Sequence, residues 1–263
     1  MGSVPAIIGH RGARGEAPEN TLAGFRQAVG SGADGIELDV RLSSDGHLVV
    51  LHDAGLRRTT GDPRRAHRIT RSELGGLDAR RDTPGWHSPA GVPSLEEVIE
   101  ACPDDTHFQF EVKATRRATL ERIAAELARL VERHDMHHRC VISSSHAPFL
   151  EGIGREYPAL RRGYVCRRSF RLPVLGSRLL GSEWLILHYR LVTPWRVARA
   201  RKQGLKLSVW TVNDLSEAER LAALGVDSLI TDFPSAFVAH FRGPGRHSRD
   251  GAPPPLDADA PEL

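Results

Sequence analysis

The sequence predicts an α/β protein, a (β/α)8 TIM barrel with an inserted cap segment after the second-strand hairpin. Its 263 residues suit one such barrel, which typically has about 250 residues. Short apolar runs alternate along the chain with longer amphipathic runs, and this alternation is typical of βα units. Charged residues and histidines stand at or next to the ends of several apolar runs, where a parallel barrel builds its active site.

Nine short apolar runs are the candidate strands. They are residues 6–10, 35–40, 48–52, 107–112, 140–143, 163–166, 184–188, 206–210 and 228–231. Because a barrel of this class has eight strands, one run is surplus. The pair Asp45-Gly46 between the second and third runs favours a two-residue type I′ turn. These two runs are therefore predicted to form one hairpin, in which Asp39 faces His52 with Cβ atoms about 5 Å apart.

Side-chain alternation assigns several charged residues to the barrel mouth. Successive residues of a strand point to opposite faces, so Glu37 and Asp39 share the inner face while the apolar residues between and beside them face the helices. The same period turns Gln109, Glu111 and Lys113 inward from the fourth run. The sequence therefore predicts a cluster of charges at the mouth.

Helical periodicity predicts the surrounding scaffold. Apolar residues recur at helical spacing over 119–133, and again over 216–224 before a stop at Gly225. Residues 53–106 are too many for a simple connection. We predict that they form an inserted cap with one helix at 94–101.

One barrel domain is predicted over residues 1–242, with the cap inside it. The remaining residues, 243–263, are rich in Pro, Asp, Ala and Gly, so we predict a disordered tail. The formal net charge of +3 is small for a chain of this length, and this predicts no nucleic-acid partner.

The cysteines and the apolar runs exclude two further classes. Cys102, Cys140 and Cys166 form no CxxC pattern and cannot all pair with one another, so neither a disulfide framework nor a zinc knot is predicted. No apolar run approaches the roughly 18 residues that a membrane span needs. We therefore expect a cytoplasmic protein with reduced thiols.

Three carboxylates predict a metal site. Glu37, Asp39 and Glu111 converge from two strands, and three negative charges within a few Å are costly unless a cation neutralises them. An all-oxygen set of ligands favours Mg²⁺ or Ca²⁺ over zinc or copper. The alternative is that these are surface carboxylates at strand ends.

Two of the 13 histidines stand at strand ends beside these carboxylates. His10 and His52 suit general acid and base catalysis because imidazole titrates near neutral pH. Arg11 and Lys113 are predicted to bind phosphate oxygens; the alternative for both is salt bridges to the carboxylates. Trp210, at the end of the eighth run, is predicted to wall the substrate pocket, with ordinary core packing as its alternative.

Three sequence blocks resemble one known family, the glycerophosphodiester phosphodiesterases of the bacterial type. HRGARGEAPENT at 10–21 resembles the family's opening block, IELDVRLSSDGHLVVLHD at 36–53 its second, and FEVK at 110–113 its third. Weaker similarities extend the resemblance over about residues 5–240. The resemblance implies a TIM-barrel phosphoric diester hydrolase that cleaves a small-molecule glycerophosphodiester to glycerol 3-phosphate and an alcohol.

The same resemblance implies roles for the candidate residues. Glu37, Asp39 and Glu111 would bind one divalent cation, while His10 and His52 would transfer protons. In the family the glycerol 2-hydroxyl is thought to attack phosphorus and expel the alcohol, after which water opens the cyclic phosphate. His52, beside the metal ligand Asp39, is the more natural base and His10 the acid.

Two other functions stay open at this point. The first is a lysophospholipase D, which would cleave a lipid-bearing diester at the same site. The second is a non-catalytic phosphate-binding module, which the presence of all the core groups disfavours. The motifs set neither the alcohol headgroup nor the oligomeric state.

Segment 161–187 combines six arginines with apolar residues. Such a mixture is predicted to make peripheral contact with an anionic membrane, with apolar residues beneath the headgroups. The alternative is a helix with an apolar inner face and solvated arginines.

Four further polar residues near the motifs receive mostly structural roles. Asn20 and Thr21 are predicted to cap the first helix, because Asn and Thr are favoured at helix N-termini. Glu19 is expected to reach the barrel mouth. Asp232 is expected to cap the loop after the last strand.

Overall fold

The structure, a computed structural model, describes residues 4–168 and 172–243. Eight parallel strands form a closed barrel, because the first strand pairs with both the second and the last. A ninth strand pairs antiparallel with the second and lies outside the ring. The predicted (β/α)8 barrel with a hairpin at its second strand is confirmed.

All nine predicted runs are strands. They are β1 (Ala6–His10), β2 (Gly35–Leu42), β3 (Leu48–Val50), β4 (His107–Val112), β5 (Cys140–Ser144), β6 (Arg162–Cys166), β7 (Trp184–His188), β8 (Lys206–Trp210) and β9 (Ser228–Thr231). The hairpin strand β3 is shorter than predicted, so His52 lies beyond its end. The sheet closes in the order β1, β2, β4, β5, β6, β7, β8, β9.

The predicted register of the hairpin is wrong by one residue. Val40 pairs with Val50, and the N–H of Leu51, not of His52, donates to the carbonyl of Asp39 at 2.9 Å. The loop has three residues, of which Gly46 adopts a φ of 88°. A type I turn followed by a left-handed glycine is the other common way to place Asp-Gly in a hairpin.

Ten α-helices surround the barrel in the described part of the chain. They are α1 (Leu22–Gly30), α2 (Arg57–Thr60), α3 (Arg71–Gly75), α4 (Leu95–Glu100), α5 (Arg117–Arg133), α6 (Ala147–Glu156), α7 (Pro173–Leu179), α8 (Pro194–Lys202), α9 (Leu215–Leu224) and α10 (Pro234–Arg242). The three predicted helices are confirmed as α4, α5 and α9. Ser94 starts α4 with a capping box, and Gly225 ends α9 in the left-handed conformation.

The main core lies between the sheet and the helices. The outward residues Phe108, Phe110 and Val112 of β4 belong to it, as the alternation predicts. Inside the barrel, Gln109 donates a hydrogen bond to Ser208 across the interior at 3.1 Å. This layer fills the barrel below the mouth, so the charged residues nearer the strand ends lie on a packed floor.

The segment between β3 and β4 has a small core of its own. Leu51, Leu56, Ile69 and Leu74 are fully or almost fully buried within it. Arg58 connects this segment to the barrel mouth. Its Nη2 lies 2.6 Å from Oε1 of Glu19, a buried residue in the loop after β1. Its function as a cap stays a prediction.

Three sequence expectations concern regions that need separate mention. The predicted tail lies outside the described residues from 244 onward, as do Phe170 and Arg171 of the basic segment. In the described part of the chain, no helix combines the length and hydrophobicity that a membrane crossing requires. Each of the three cysteines is buried, and no disulfide joins them in the described part of the chain.

Candidate active site

Three carboxylates meet at the mouth of the barrel. Glu37 and Asp39 come from β2 and Glu111 from β4, and one oxygen from each lies within 4.8 Å of the other two. The strand register explains this convergence, because Asp39 is the direct neighbour of Glu111 across the β2–β4 pair. Glu37 and Asp39 are buried.

Two basic side chains contact this cluster. The Lys113 ammonium lies 2.8 Å from Asp39 Oδ1 and 2.7 Å from Glu111 Oε2, and Arg11 Nε lies 3.2 Å from Asp39 Oδ2. Both residues therefore form the salt bridges that were the alternative to phosphate binding. Their charges remain at the cluster, where a phosphate would also approach.

The cluster is electrostatically uneven. Burial, followed by the charges of Asp39 and Glu111, raises the pKa of Glu37 well above its ordinary value. Burial also acts to raise the pKa of Asp39, but Lys113 and Arg11 outweigh it and hold that pKa below its usual range. The protein's own cations therefore compensate Asp39 and leave Glu37 short of positive charge.

This arrangement fits a hard divalent cation. The donor atoms are all carboxylate oxygens, which Mg²⁺ and Ca²⁺ prefer. A cation beside Glu37 would remove the repulsion that raises its pKa. The three residues could thus hold a metal ion, because their carboxylate oxygens lie within 4.8 Å of one another.

His10 is held by a carboxylate from the far end of the chain. Its Nδ1 lies 2.6 Å from Asp232 Oδ1, and its Nε2 lies 3.9 Å from Glu37 Oε2. Asn213 Nδ2 donates to the other Asp232 oxygen at 2.7 Å. Because Nδ1 contacts Asp232, Nε2 is the ring nitrogen that faces the carboxylate cluster.

Asp232 therefore does more than the loop cap that the sequence predicted. Its side chain orients a histidine at the site and is itself lowered in pKa: burial opposes this, but hydrogen bonding and charge from His10 prevail. Residues 10 and 232 come together only because β1 and β9 pair and close the barrel. No local pattern in the sequence signals this contact.

His52 has a similar partner, close by in sequence. Its Nδ1 lies 2.8 Å from Asp53 Oδ1, and Arg58 Nε lies 2.6 Å from the other oxygen of Asp53. Burial lowers the pKa of His52, and Arg11 and Lys113 lower it further against the opposing charge of Asp39. These effects favour the neutral form of His52, which can accept a proton.

The loop after β1 supplies two more contacts to the site. Asn20 Nδ2 donates to Asp39 Oδ2 at 3.0 Å, so Asn20 supports a cluster residue, and Thr21 alone caps α1. Arg11 and Asn20 both have positive φ, 51° and 54°, a conformation that Asn tolerates better than most residues. Glu19 lies buried beneath, 3.0 Å from Arg11 Nη1.

Trp210 is half-buried and lines a small cavity at the barrel mouth together with His10, Glu37 and Glu111. Its ring packs against the apolar core inside the barrel and edge-on to His188 at 5.7 Å between centroids. The Arg167 guanidinium lies 5.9 Å from the Trp210 ring centroid. Core packing, the alternative for this residue, is therefore part of its role.

The fold and this site together define an α/β-barrel protein with two histidine–aspartate pairs around a carboxylate cluster. The chain belongs to the glycerophosphoryl diester phosphodiesterase family, whose model matches residues 10–236. It is accordingly a phosphoric diester hydrolase, and the resemblance found in the sequence motifs is confirmed.

Individual relatives cover almost the same span. A glycerophosphodiester phosphodiesterase from Caldanaerobacter subterraneus is 34% identical over 235 residues, which are 88% of this chain and 96% of the relative. A solved phosphodiesterase from Oleispira antarctica, in complex with the product sn-glycerol-3-phosphate, is 28% identical with a TM-score of 0.80, covering 90% of this chain and 96% of that one. A solved glycerophosphodiester phosphodiesterase from Agrobacterium tumefaciens is 29% identical with a TM-score of 0.78, covering 89% and 99%.

Proposed function

We propose that this enzyme uses one divalent cation and two histidines to hydrolyse glycerophosphodiesters to glycerol 3-phosphate and an alcohol. The single observation that supports this most is the carboxylate cluster flanked by two histidine–aspartate pairs, His10 with Asp232 and His52 with Asp53. The relative with bound sn-glycerol-3-phosphate supports the choice of product.

Glu37, Asp39 and Glu111 would hold the cation, which is Mg²⁺ or Ca²⁺. When bound, it supplies positive charge to a phosphoryl oxygen and lowers the pKa of a hydroxyl next to it. Lys113 and Arg11 lie against the same carboxylates. Both can turn donors toward the remaining phosphoryl oxygens, which gain negative charge in the transition state.

His52 acts as the base of the first step. With Nδ1 bonded to Asp53, its Nε2 accepts the proton of the glycerol 2-hydroxyl as the hydroxyl oxygen forms a bond to phosphorus. The depressed pKa of His52 favours the unprotonated ring that a base needs. The charge of Asp39, which acts on His52, supports a role beside the proposed metal ligand.

His10 acts as the acid of the same step. The bond from phosphorus to the leaving oxygen breaks, and that oxygen receives the proton of His10 Nε2. The negative charge of Asp232, 2.6 Å away, stabilises the protonated imidazole before transfer. In the second step the roles reverse: water loses a proton to His10 as its oxygen bonds to phosphorus, the bond from phosphorus to the glycerol 2-oxygen breaks, and His52 returns a proton to that oxygen.

A direct assay tests the proposal. The protein should hydrolyse glycerophosphocholine and glycerophosphoethanolamine, lose this activity in a chelator, and regain it with Mg²⁺ or Ca²⁺. Glu37→Gln should lower kcat by about 10²-fold or more, because the cluster loses one of the three carboxylates that would bind the cation. Glu100→Gln, an exposed carboxylate on α4, is the matched control and should leave kcat unchanged.

A second candidate, a lysophospholipase D, is favoured by one surface feature. Leu172 and Leu179 at the two ends of α7 are 62% and 75% exposed, and Trp195 on α8 is 64% exposed. Helices α7 and α8 contact each other, and Arg178 belongs to the same surface. Leu172, Arg178 and Leu179 lie within segment 161–187, which we predict to contact an anionic membrane, and Trp195 lies outside that segment.

Lysophosphatidylcholine in anionic vesicles tests this candidate. A lipid-cleaving enzyme should prefer it to glycerophosphocholine, and Leu172→Ser with Leu179→Ser should weaken vesicle binding while glycerophosphocholine hydrolysis is unchanged. If the double variant and the wild type bind vesicles equally, the surface is not a membrane contact.

A further inference from the structure

A second cavity adjoins the candidate site. It has a volume of about 560 Å³ and lies between the end of β2, a 3₁₀ turn at Ala66–Arg68 and the start of α5. Its basic lining residues are Arg41, Arg65, His67, Arg68, Lys113 and Arg116, and no described residue of its lining is acidic. The cavity therefore carries an excess of positive charge.

Three of these basic side chains have no carboxylate partner. Among the described residues, Arg65, Arg68 and Arg116 form no ion pair, whereas Lys113 is paired with Asp39 and Glu111. Three other arginines of the segment between β3 and β4 are paired: Arg64 lies 2.8 Å from Asp62, Arg71 2.9 Å from Glu97, and Arg80 2.7 Å from Asp78. The three arginines without an ion pair all line one cavity.

Two further side chains of the lining, Arg41 and His67, are affected by their surroundings. Arg41 donates only to main-chain oxygens, with Nε 3.2 Å from the Leu51 carbonyl and 3.0 Å from the His52 carbonyl. Burial lowers the pKa of His67, and Arg68, Arg65 and Arg116 lower it further. Positive charge is thus dense enough to act on a neighbouring side chain.

The start of α5 adds hydrogen-bond donors. Arg116 occupies its N-cap without a side-chain cap, and its first turn has no acidic residue. Thr115 and Thr119 also line the cavity. The free N–H groups and positive end of a 17-residue helix favour an anion, so the helix reinforces a site that the arginines define.

This cavity is connected to the candidate active site. Lys113 lines it and also contacts Asp39 and Glu111. Arg41 lines it too, and it stands two residues after Asp39 on β2. A ligand in the cavity would therefore lie beside the reacting phosphodiester.

We infer that the cavity binds a phosphate group carried by the alcohol half of the diester. The inference rests on the proposed hydrolase function and adds a substrate class to it: diesters whose leaving alcohol is itself phosphorylated. The guanidinium forks of Arg65, Arg68 and Arg116 match the oxygens of a phosphate. The volume is that of a small-molecule site and can hold a phosphorylated polyol.

A matched pair of substrates tests the inference. Glycerophosphoinositol 4-phosphate and glycerophosphoinositol differ only by a phosphate on the alcohol. The wild type should have a kcat/KM at least about 10-fold higher for the phosphorylated diester, since charge-assisted hydrogen bonds to phosphate are strong. Arg65→Gln with Arg68→Gln, and separately Arg116→Gln, should each lower this ratio about 10-fold while kcat/KM for glycerophosphoinositol changes less than about 2-fold.

Arg57→Gln is the matched control. Arg57 is an exposed arginine in the same segment that does not line the cavity, so its substitution should keep the ratio. A ratio near one in the wild type, or a ratio unchanged in both cavity variants, overturns the inference.

Two other results distinguish a failure of the proposed hydrolase function from a failure of the inference about the cavity. Absence of turnover for both diesters, with the protein folded and the cation supplied, would defeat the proposed function itself. If inorganic phosphate changes glycerophosphoinositol hydrolysis in the wild type and not in the cavity variants, while the two diesters are used equally, the cavity binds free phosphate and the inference is wrong.

Discussion

Asp232→Asn probes the positioning of the proposed acid. In the protein, Asp232 accepts from His10 Nδ1 at 2.6 Å through one oxygen and from Asn213 Nδ2 at 2.7 Å through the other. An asparagine has one oxygen and one NH₂ group, so it cannot satisfy both donors. In one orientation its NH₂ group faces the NH₂ group of Asn213, so that two donors oppose each other. In the other orientation its NH₂ group faces His10 and shifts the ring proton from Nδ1 to Nε2.

Both outcomes take away the charge-assisted hydrogen bond between the Asp232 carboxylate and the protonated imidazole, either by making its acceptor neutral or by removing the acceptor. Such a bond contributes about 1.5–3 kcal/mol, which corresponds to a loss of roughly 10- to 150-fold in kcat. The loss should be seen with an alkyl glycerophosphodiester. It should be much smaller with a nitrophenyl glycerophosphodiester, whose leaving group needs no proton.

Asp53→Asn is the matched control, because Asp53 holds the other histidine, His52. Its defect should be similar on the two substrates. Thermal unfolding of both variants checks that the fold is kept. Equal defects of Asp232→Asn on the alkyl and nitrophenyl substrates would refute the assignment of Asp232 and His10 to leaving-group protonation.

Three more predictions follow from the same contacts. His52→Ala should lower kcat by about 10²- to 10⁴-fold on both alkyl and nitrophenyl substrates, and His10→Ala mainly on the alkyl one; a reversed pattern in steady-state kinetics would exchange the roles. Because burial depresses the pKa of His52, the acid limb of kcat/KM should lie below pH 6.5, and Asp53→Asn should move it lower still; a limb above pH 6.5 contradicts this. Glu19→Gln should reduce the free energy of unfolding by about 3 kcal/mol near neutral pH, as breaking a buried ion pair does, since Glu19 contacts Arg11 and Arg58. Hydrogen bonds and charge from Arg58 and Arg11 lower the folded pKa of Glu19 in spite of burial. This contribution to stability is therefore present above about pH 4.3 and is lost as the pH falls through the folded pKa. Denaturant titrations that give the same stability difference between wild type and variant at pH 7 and pH 3 would refute it.

The barrel was predictable because its signals are local. Each strand is a short apolar run, and alternation within β2 and β4 is enough to put Glu37, Asp39 and Glu111 on one face. The hairpin shows where local signals stop: Asp-Gly suits both a two-residue loop and a three-residue loop with Gly46 left-handed. Only pairing with the rest of the sheet selects between them.

The parts of the site that sequence reasoning missed depend on closure of the chain. Asp232 contacts His10 across 222 residues, and Asn20 reaches Asp39 through a turn with positive φ. Neither residue type is diagnostic of such a role, since Asp and Asn are also favoured in caps and turns. The three unpaired arginines of the second cavity are equally invisible in sequence, because pairing is a property of the folded surface.

The central claim is that the three carboxylates bind the cation that catalysis needs. Calcium or magnesium binding, measured by calorimetry on the metal-free protein and compared with activity over the same concentrations, tests it most directly. One bound ion should half-saturate at the concentration that restores half of the activity, and Glu37→Gln and Glu111→Gln should weaken both together. Full activity of either variant in metal-free buffer, or binding that these substitutions leave unchanged, would contradict the claim.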